Sequence, residues 1–343
     1  MSSSGYFADI GDLQLGSAAV LANVKIAYET RGKLSNSGDN AILVVHGYTS
    51  GPDMIMPGGT AGEGSWEELI GPGKPIDTDR YFVVCPNALG STYGSTGASS
   101  INPATGRPYG SSFPIITMRD VVSSQRALMA QLGIDRLVAV IGPSFGGLQA
   151  LQWGVSYPGF MRGVVALLAS LGPPPTNVER IRAGLAKDPN WNNGDYYAHG
   201  NLVDTLTAIR IDTLKSYGVD VALSRSIPDA AQRATAIAQK ARQWAEGFDA
   251  NALLVIMKII ASHDVTADLH RLRARVLYVL SRTDHLFPPT LAPDAMQRFK
   301  AAGVDAEYFE IDSDSGHAAA STDAQLWAPI LRRFLESLER RPA

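Results

Sequence analysis

The stretch Leu137-Val138-Ala139-Val140-Ile141-Gly142-Pro143-Ser144-Phe145-Gly146-Gly147-Leu148-Gln149-Ala150-Leu151 decides how this chain folds. Its opening run, Leu137 to Ile141, is wholly apolar and rich in β-branched side chains, as in a strand buried on both faces. Its closing run, Gly147 to Leu151, forms helix readily. Between them lies a Gly-x-Ser-x-Gly turn. Glycine and serine are common, so the pentapeptide alone says little; a strand before it and a helix after it are the setting in which such a turn projects a serine hydroxyl. Gly142 and Gly146 let the two backbones approach closely while the serine takes a strained conformation. Pro143 fixes its own φ, biases Gly142 toward an extended form, and removes an amide the chemistry does not need. Ser144 is the candidate nucleophile.

Outward from this point, short β-branched runs alternate with segments of helical period: Ala41 to His46, Tyr81 to Cys85, Leu137 to Gly142, Gly163 to Leu168, Val276 to Ser281 and Ala306 to Ile311. That alternation predicts an α/β chain with a mostly parallel sheet and helices on both faces. Two earlier strands, around Leu13 to Ala18 and Val24 to Arg31, alternate apolar and polar residues, as antiparallel edge strands do. A helix is expected over Val121 to Leu132, with Thr117 placed to cap its start and Gly133 to end it. Gly172-Pro173-Pro174-Pro175 breaks the rhythm, and from Asn177 to about His263 the pattern is helical without a convincing strand. The reading is a core formed by residues 1–172 and 264–343, with residues 173–263 inserted as a helical lid above the strand carboxyl ends. Ser91 to Ser112, rich in Gly, Ser, Pro and Asn, reads as an ordered long loop.

A serine hydroxyl attacks only when a base removes its proton, and that base needs a carboxylate to orient it, here in the chain order Ser, Asp, His. His317 follows the last predicted strand in Asp312-Ser313-Asp314-Ser315-Gly316-His317, at the correct edge of the sheet. Asp284 follows the strand Val276 to Leu280 and is the candidate orienter, whereas Asp312 and Asp314 are explained by turn formation. His263, His270 and His285 read as surface or helix-capping residues and His46 as structural. The His263, Asp264, Asp268, His270 cluster fits no metal-ligand spacing, so no metal is expected. An acyl-transfer intermediate also needs two aimed donors: the amide of Phe145 is one, and Tyr48, in the loop after the strand Ala41 to Val45, is the candidate for the other.

The 343 residues are 45% hydrophobic and 18% charged, enough for a large core, and the net charge of -3 supplies no basic surplus for nucleic acid. The single cysteine, Cys85, ends an apolar run and reads as a buried small hydrophobe. Met1 to Ile10 has neither the basic start nor the apolar stretch of a signal peptide, and no run approaches the ~20 apolar residues of a membrane span. A cytoplasmic protein without a membrane partner is the expectation.

Beyond the elbow, the chain resembles the homoserine O-acetyltransferase family. The resemblance runs through Ile70-Gly71-Pro72-Gly73-Lys74, Asp77-Thr78-Asp79-Arg80-Tyr81, Gly94-Ser95-Thr96-Gly97, Asn102-Pro103-Ala104-Thr105-Gly106, Gln149-Ala150-Leu151-Gln152-Trp153, Asp188-Pro189-Asn190-Trp191, Phe248-Asp249-Ala250-Asn251 and Asp284 to Pro289. It implies an α/β-hydrolase fold with a helical lid, a homodimer joined through that lid, and transfer of an acetyl group from acetyl-CoA, as co-substrate and not cofactor, to an amino-acid hydroxyl. It assigns Ser144, Asp284 and His317 to a triad, and Arg210 and Tyr217 to the acceptor. The chain departs from the family at Pro143, at Gly47-Tyr48, in its rather short lid, and at Ala318, where the family carries an aspartate that meets the acceptor's amino group. That last change implies an acceptor other than homoserine. Three functions are open on these residues: a short-chain acyltransferase, which the surviving family pattern favours; a carboxylic ester hydrolase with water as acceptor; and a non-catalytic binding protein, which the complete triad disfavours.

Overall fold

The computed structural model describes residues 5–59 and 65–339; the extreme ends of the expected core, 1–4 and 340–343, lie outside them with 60–64. One eight-stranded sheet organises the chain. Its strands are β1 (Tyr6–Gln14), β2 (Val20–Arg31), β3 (Ala41–Val44), β4 (Phe82–Pro86), β5 (Leu137–Pro143), β6 (Met161–Leu167), β7 (Arg275–Ser281) and β8 (Ala306–Ile311), in the spatial order β1-β2-β4-β3-β5-β6-β7-β8. The first two junctions, β1 with β2 and β2 with β4, are antiparallel, and every later one is parallel. The parallel strands need crossovers that cover both faces, which is why β3, β5, β6 and β7 are buried nearly throughout.

Alternate residues feed two cores. Leu43, Val140, Val164, Val276 and Tyr278 face one side, with Val121, Leu128, Leu151 and Phe299; Ile42, Ile141, Val165, Leu277 and Val279 face the other, with Phe334, Leu335 and Leu338. The covering helices are α1 (Met118–Gln131), α2 (Phe145–Ser156), α8 (Ala292–Ala301) and α9 (Ala328–Glu339). The start of α1 has a full capping box: the Thr117 hydroxyl oxygen accepts from the Asp120 amide, and the Asp120 carboxylate accepts from the Thr117 amide at 2.7 Å. Gly133, at φ +68°, ends it in the left-handed conformation that glycine adopts without a Cβ penalty.

Strand order fixes where a ligand binds. After β3 the chain moves outward to β4, then returns to β5 on the opposite side of β3, so the loops leaving β3 and β5 diverge and leave a crevice at their carboxyl ends. Between β6 and β7 come α3 (Val178–Leu185), α4 (Val203–Ser216), α5 (Val219–Ser224), α6 (Ala230–Ala245) and α7 (Ala250–Ala261), with no strand among the described residues 168–274. The last of these is apolar nearly all round and sinks Leu253, Ile256 and Ile259 into the main core.

Two expectations change. The first strand is not Leu13 to Ala18: β1 runs from Tyr6 to Gln14, and Leu15 to Ala19 form the tight turn into β2, with Ala18 at φ +65°. As an outermost strand, β1 exposes Tyr6 and Phe7, so its apolar period gives no clear inward face. His263, expected at the surface, is fully buried where the inserted helices rejoin the core: its Nε2 meets the Ser170 carbonyl at 3.2 Å, and the next turn is tied by the Val265 amide to Leu171. Its Nδ1 has no hydrogen-bond partner among the described residues.

Burial pushes the His263 imidazole from 6.5 down to about 4, against a smaller opposite pull from the Ser170 carbonyl. The unfolded chain takes up this proton near pH 6.5 and the folded chain only near 4. Stability contributed by the neutral ring is therefore complete above pH 6.5 and is lost as pH falls to 4. A shift of this size corresponds to roughly 3 kcal/mol. Urea denaturation between pH 7 and 4 is expected to show this decline, and His263→Gln is expected to flatten it.

Candidate active site

The crevice holds the turn quoted at the outset. Ser144 sits at φ 56°, ψ -121°, a conformation that costs a non-glycine residue about 1–3 kcal/mol and persists only when its surroundings enforce it. They do so from both sides. The Ser144 amide donates to the Leu167 carbonyl of β6 at 2.8 Å, and the Leu148 amide closes the first turn of α2 on the Ser144 carbonyl at 3.0 Å. A Cβ on Gly146 would lie 2.1 Å from the Val45 carbonyl oxygen and one on Gly147 2.6 Å from that of Leu167, so only glycine allows α2 to start this close to two strands. The Phe145 amide opens α2 and has no preceding turn to bond to.

His317 and Asp284 arrive from the ends of β8 and β7. His317 Nδ1 is 2.8 Å from Asp284 Oδ2, and both side chains are buried. The other carboxylate oxygen accepts the amides of Leu286 at 2.8 Å and Phe287 at 3.3 Å. Burial alone would raise the Asp284 pKa, but the adjacent imidazole and these hydrogen bonds outweigh it and hold the group below its ordinary value. The ring of His317 is packed between Phe287, stacked at 5.8 Å, and Tyr217 at 4.7 Å. Ser144 and His317 line one narrow cavity, about 370 Å³ with its mouth, together with Gly47, Tyr48, Ser50, Met54, Pro143, Ala320 and Ser321.

Tyr48 is in this lining, and its buried phenol donates to the Leu253 carbonyl of α7 at 3.1 Å. Its hydroxyl is thereby turned to the inserted helices. Arg210 is buried one layer behind: Nη1 donates to Thr49 Oγ1 at 2.6 Å, and the guanidinium lies over the Trp244 ring at 5.1 Å. Trp244 Nε1 donates to the Thr49 carbonyl at 3.1 Å, so α4, α6 and α7 all grip the loop after β3. The sequence reading missed Thr49 and Trp244, and it carried no signal for a bond across 195 residues. His46 has a structural place, accepting the Ala88 amide on Nε2 and facing the Gly47 carbonyl with Nδ1. Cys85 is fully buried, and burial pushes its thiol pKa up, the reverse of what a reactive thiolate needs. Among the described residues no group of three potential ligands could hold a metal ion, and no helix is long and apolar enough to cross a membrane.

A family model described as the alpha/beta hydrolase fold matches residues 40–324, and the chain belongs to that class. Its sequence is similar to homoserine O-acetyltransferases: that of Symbiobacterium thermophilum is 38% identical, covering 95% of this chain and 92% of its own, and that of Carboxydothermus hydrogenoformans is 35% identical, covering 94% and 92%. Among solved structures, esterase E22 matches with a TM-score of 0.86 at 27% identity over 97% of this chain and 99% of its own. The homoserine O-acetyltransferase of Bacillus anthracis matches with a TM-score of 0.85 at 26% identity over 97% of each chain. Within the α/β hydrolases, then, this chain belongs to the homoserine O-acetyltransferase family, whose fold transferases and esterases share.

Asp284→Asn retains an oxygen for the amides of Leu286 and Phe287 but removes the charge facing His317. Labelling of Ser144 by a fluorophosphonate is expected to slow by about 10⁴-fold, the loss typical of removing the orienting carboxylate of a serine triad. Intact-protein mass spectrometry over time measures it.

Proposed function

We propose that this protein is a serine esterase for short acyl groups, which loads the acyl group on Ser144 and delivers it to water. The observation that supports water over an amino acid is the position after His317. Ala318 is 1% exposed and packs among Leu214, Tyr217, Val219, Ile237 and Ala241. No carboxylate is among the described residues that line the cavity, and both oxygens of Asp284 are engaged by His317 and two amides. The ammonium group of homoserine or serine would enter with no anionic partner, at a cost of several kcal/mol. Water needs none.

The chemistry follows from the side chains. His317 Nε2 takes the proton of Ser144 Oγ as that oxygen bonds to the ester carbonyl carbon. Negative charge gathers on the former carbonyl oxygen, toward the amides of Phe145 and Tyr48. The intermediate collapses as the imidazolium returns the proton to the departing alkoxide, leaving an acyl-serine and an alcohol. Water then yields a proton to His317 and its hydroxide adds to the acyl carbon; Ser144 leaves with the proton, and a carboxylic acid is released. Asp284 stays ionised and holds the ring with Nδ1–H toward itself. The side chains of Met54 and Ala320 line the cavity beside Ser144, and a small acyl group such as acetyl is the proposed occupant. Arg210 and Tyr217 act here on the loop after β3 and on the His317 ring.

A second reading, transfer to a neutral hydroxyl compound, draws on the 35–38% identity to homoserine O-acetyltransferases over more than nine-tenths of the chain. One assay separates the two. The purified protein is given p-nitrophenyl acetate, and separately acetyl-CoA with and without L-homoserine or L-serine. The expected result is ester cleavage with no acceptor-dependent thiol release, abolished to within about 10³–10⁴-fold of the water rate by Ser144→Ala. Acceptor-dependent thiol release without ester cleavage would overturn the esterase reading, and Ser144→Ala retaining full activity would overturn both.

A further inference from the structure

The loop that carries His317 is held from a direction the mechanism does not use. Asp323, six residues beyond it, has a side chain only 1% exposed. It accepts the Ser313 hydroxyl at 2.5 Å and pairs with both terminal nitrogens of Arg225, which follows α5 in the lid. Arg225 Nη2 also donates to Ser315 Oγ at 2.9 Å, and the Ser315 amide donates to Ser313 Oγ at 2.9 Å. The carboxylate therefore collects the residues just before Gly316-His317, while its own backbone closes the short turn Ala319–Thr322 just after them. His317 is bracketed on both sides.

The same stretch of lid touches the loop twice more. The Ala318 amide donates to the Tyr217 carbonyl at 2.8 Å, and Gly218, at φ +84°, presses so close that a Cβ there would lie 2.5 Å from the Ser315 carbonyl oxygen. Segment 217–225 and loop 313–323 are thus held together by hydrogen bonds and close backbone packing. Burying the Asp323 carboxylate is costly unless it is paired and hydrogen-bonded, and Arg225 and Ser313 supply those partners.

We propose that Asp323, gripped by Arg225, is a positioning residue for His317, so that docking of the lid segment sets the orientation of the base. The inference rests on the reading of Ser144 as nucleophile and His317 as its base. Asp284 fixes one end of the imidazole; Asp323 fixes the backbone from which the ring projects.

The test uses the full chain with Asp323→Asn, Arg225→Met and Arg225→Lys, read by kcat and KM for p-nitrophenyl acetate and by the low-field proton resonance of His317 Nδ1–H on Asp284. Asp323→Asn and Arg225→Met are expected to lower kcat by about 10–100-fold, the scale of loss from misplacing a reacting group. KM is expected to stay within about threefold, because ground-state binding is untouched. The low-field resonance is expected to shift or broaden. Arg225→Lys keeps the charge but not the fork that spans Asp323 and Ser315, and falls between. If Asp323→Asn does not fold, the two changes at Arg225, a half-exposed side chain, carry the test. Folded variants with wild-type kcat and an unmoved resonance overturn the proposal. A wild-type protein that cleaves no ester, yet whose resonance is displaced in Arg225→Met, overturns the esterase reading and leaves the positioning role supported.

Discussion

The structure depends on one strained residue. Ser144 holds a backbone conformation that an L-amino acid avoids, and three neighbouring glycines with the carbonyls of Val45 and Leu167 leave it no other. The contact is possible only because β3, β5 and β6 are adjacent and parallel, so that their carboxyl ends converge on the start of α2. The strain is stored by the sheet and expressed at the hydroxyl. A buried chain of hydrogen bonds lies beside it: the Trp153 indole donates to Gln125, Gln125 to Gln149, and Gln149 to the His46 carbonyl, linking α1, α2 and the loop after β3. Every bond in that chain is away from water, so a mismatch at one end is felt at the other.

The inserted helices reach both loops that line the cavity. Tyr48 is anchored on α7, Thr49 receives Arg210 from α4 and Trp244 from α6, and the loop of His317 is held by Tyr217, Gly218 and Arg225. Both polar loops of the cavity are thus tied to the inserted helices. The helices that shape the site are part of the folded core, with α7 sitting in the main hydrophobic cluster.

Esterase E22 and the Bacillus anthracis transferase resemble this chain to almost the same degree, so the fold does not decide between water and an amino acid. What differs is local. An acyl-serine is electrophilic whichever acceptor arrives, and selection falls to groups that welcome or refuse the acceptor's charge. In this chain the residue after His317 turns an alanine into an apolar cluster, and no carboxylate is among the described residues that line the cavity.

The elements legible in the sequence were those whose physics is local. The strand-turn-helix at Ser144 needs its glycines within a few residues, α1 carries its own cap at Thr117 and Asp120, Asp284 follows an apolar run, and His317 follows a strand marked by its aromatic and β-branched residues. The need of a serine for a base and of that base for a carboxylate, in the chain order Ser, Asp, His, carried the expectation that these three converge, and the family pattern agreed with it. By itself, then, the sequence determined the fold class, the positions of most core strands along the chain and the residues available for acyl transfer. Tertiary structure alone decided the register of β1, whose exposed edge leaves no apolar period to read, and the burial of His263, whose polar ring is covered by the returning helices. It also decided the contacts of Thr49 with Trp244 and of Arg225 with Asp323, 195 and 98 residues apart. Such pairings are set by the packing of whole helices on the sheet, a global constraint that no spacing of residues along the chain records.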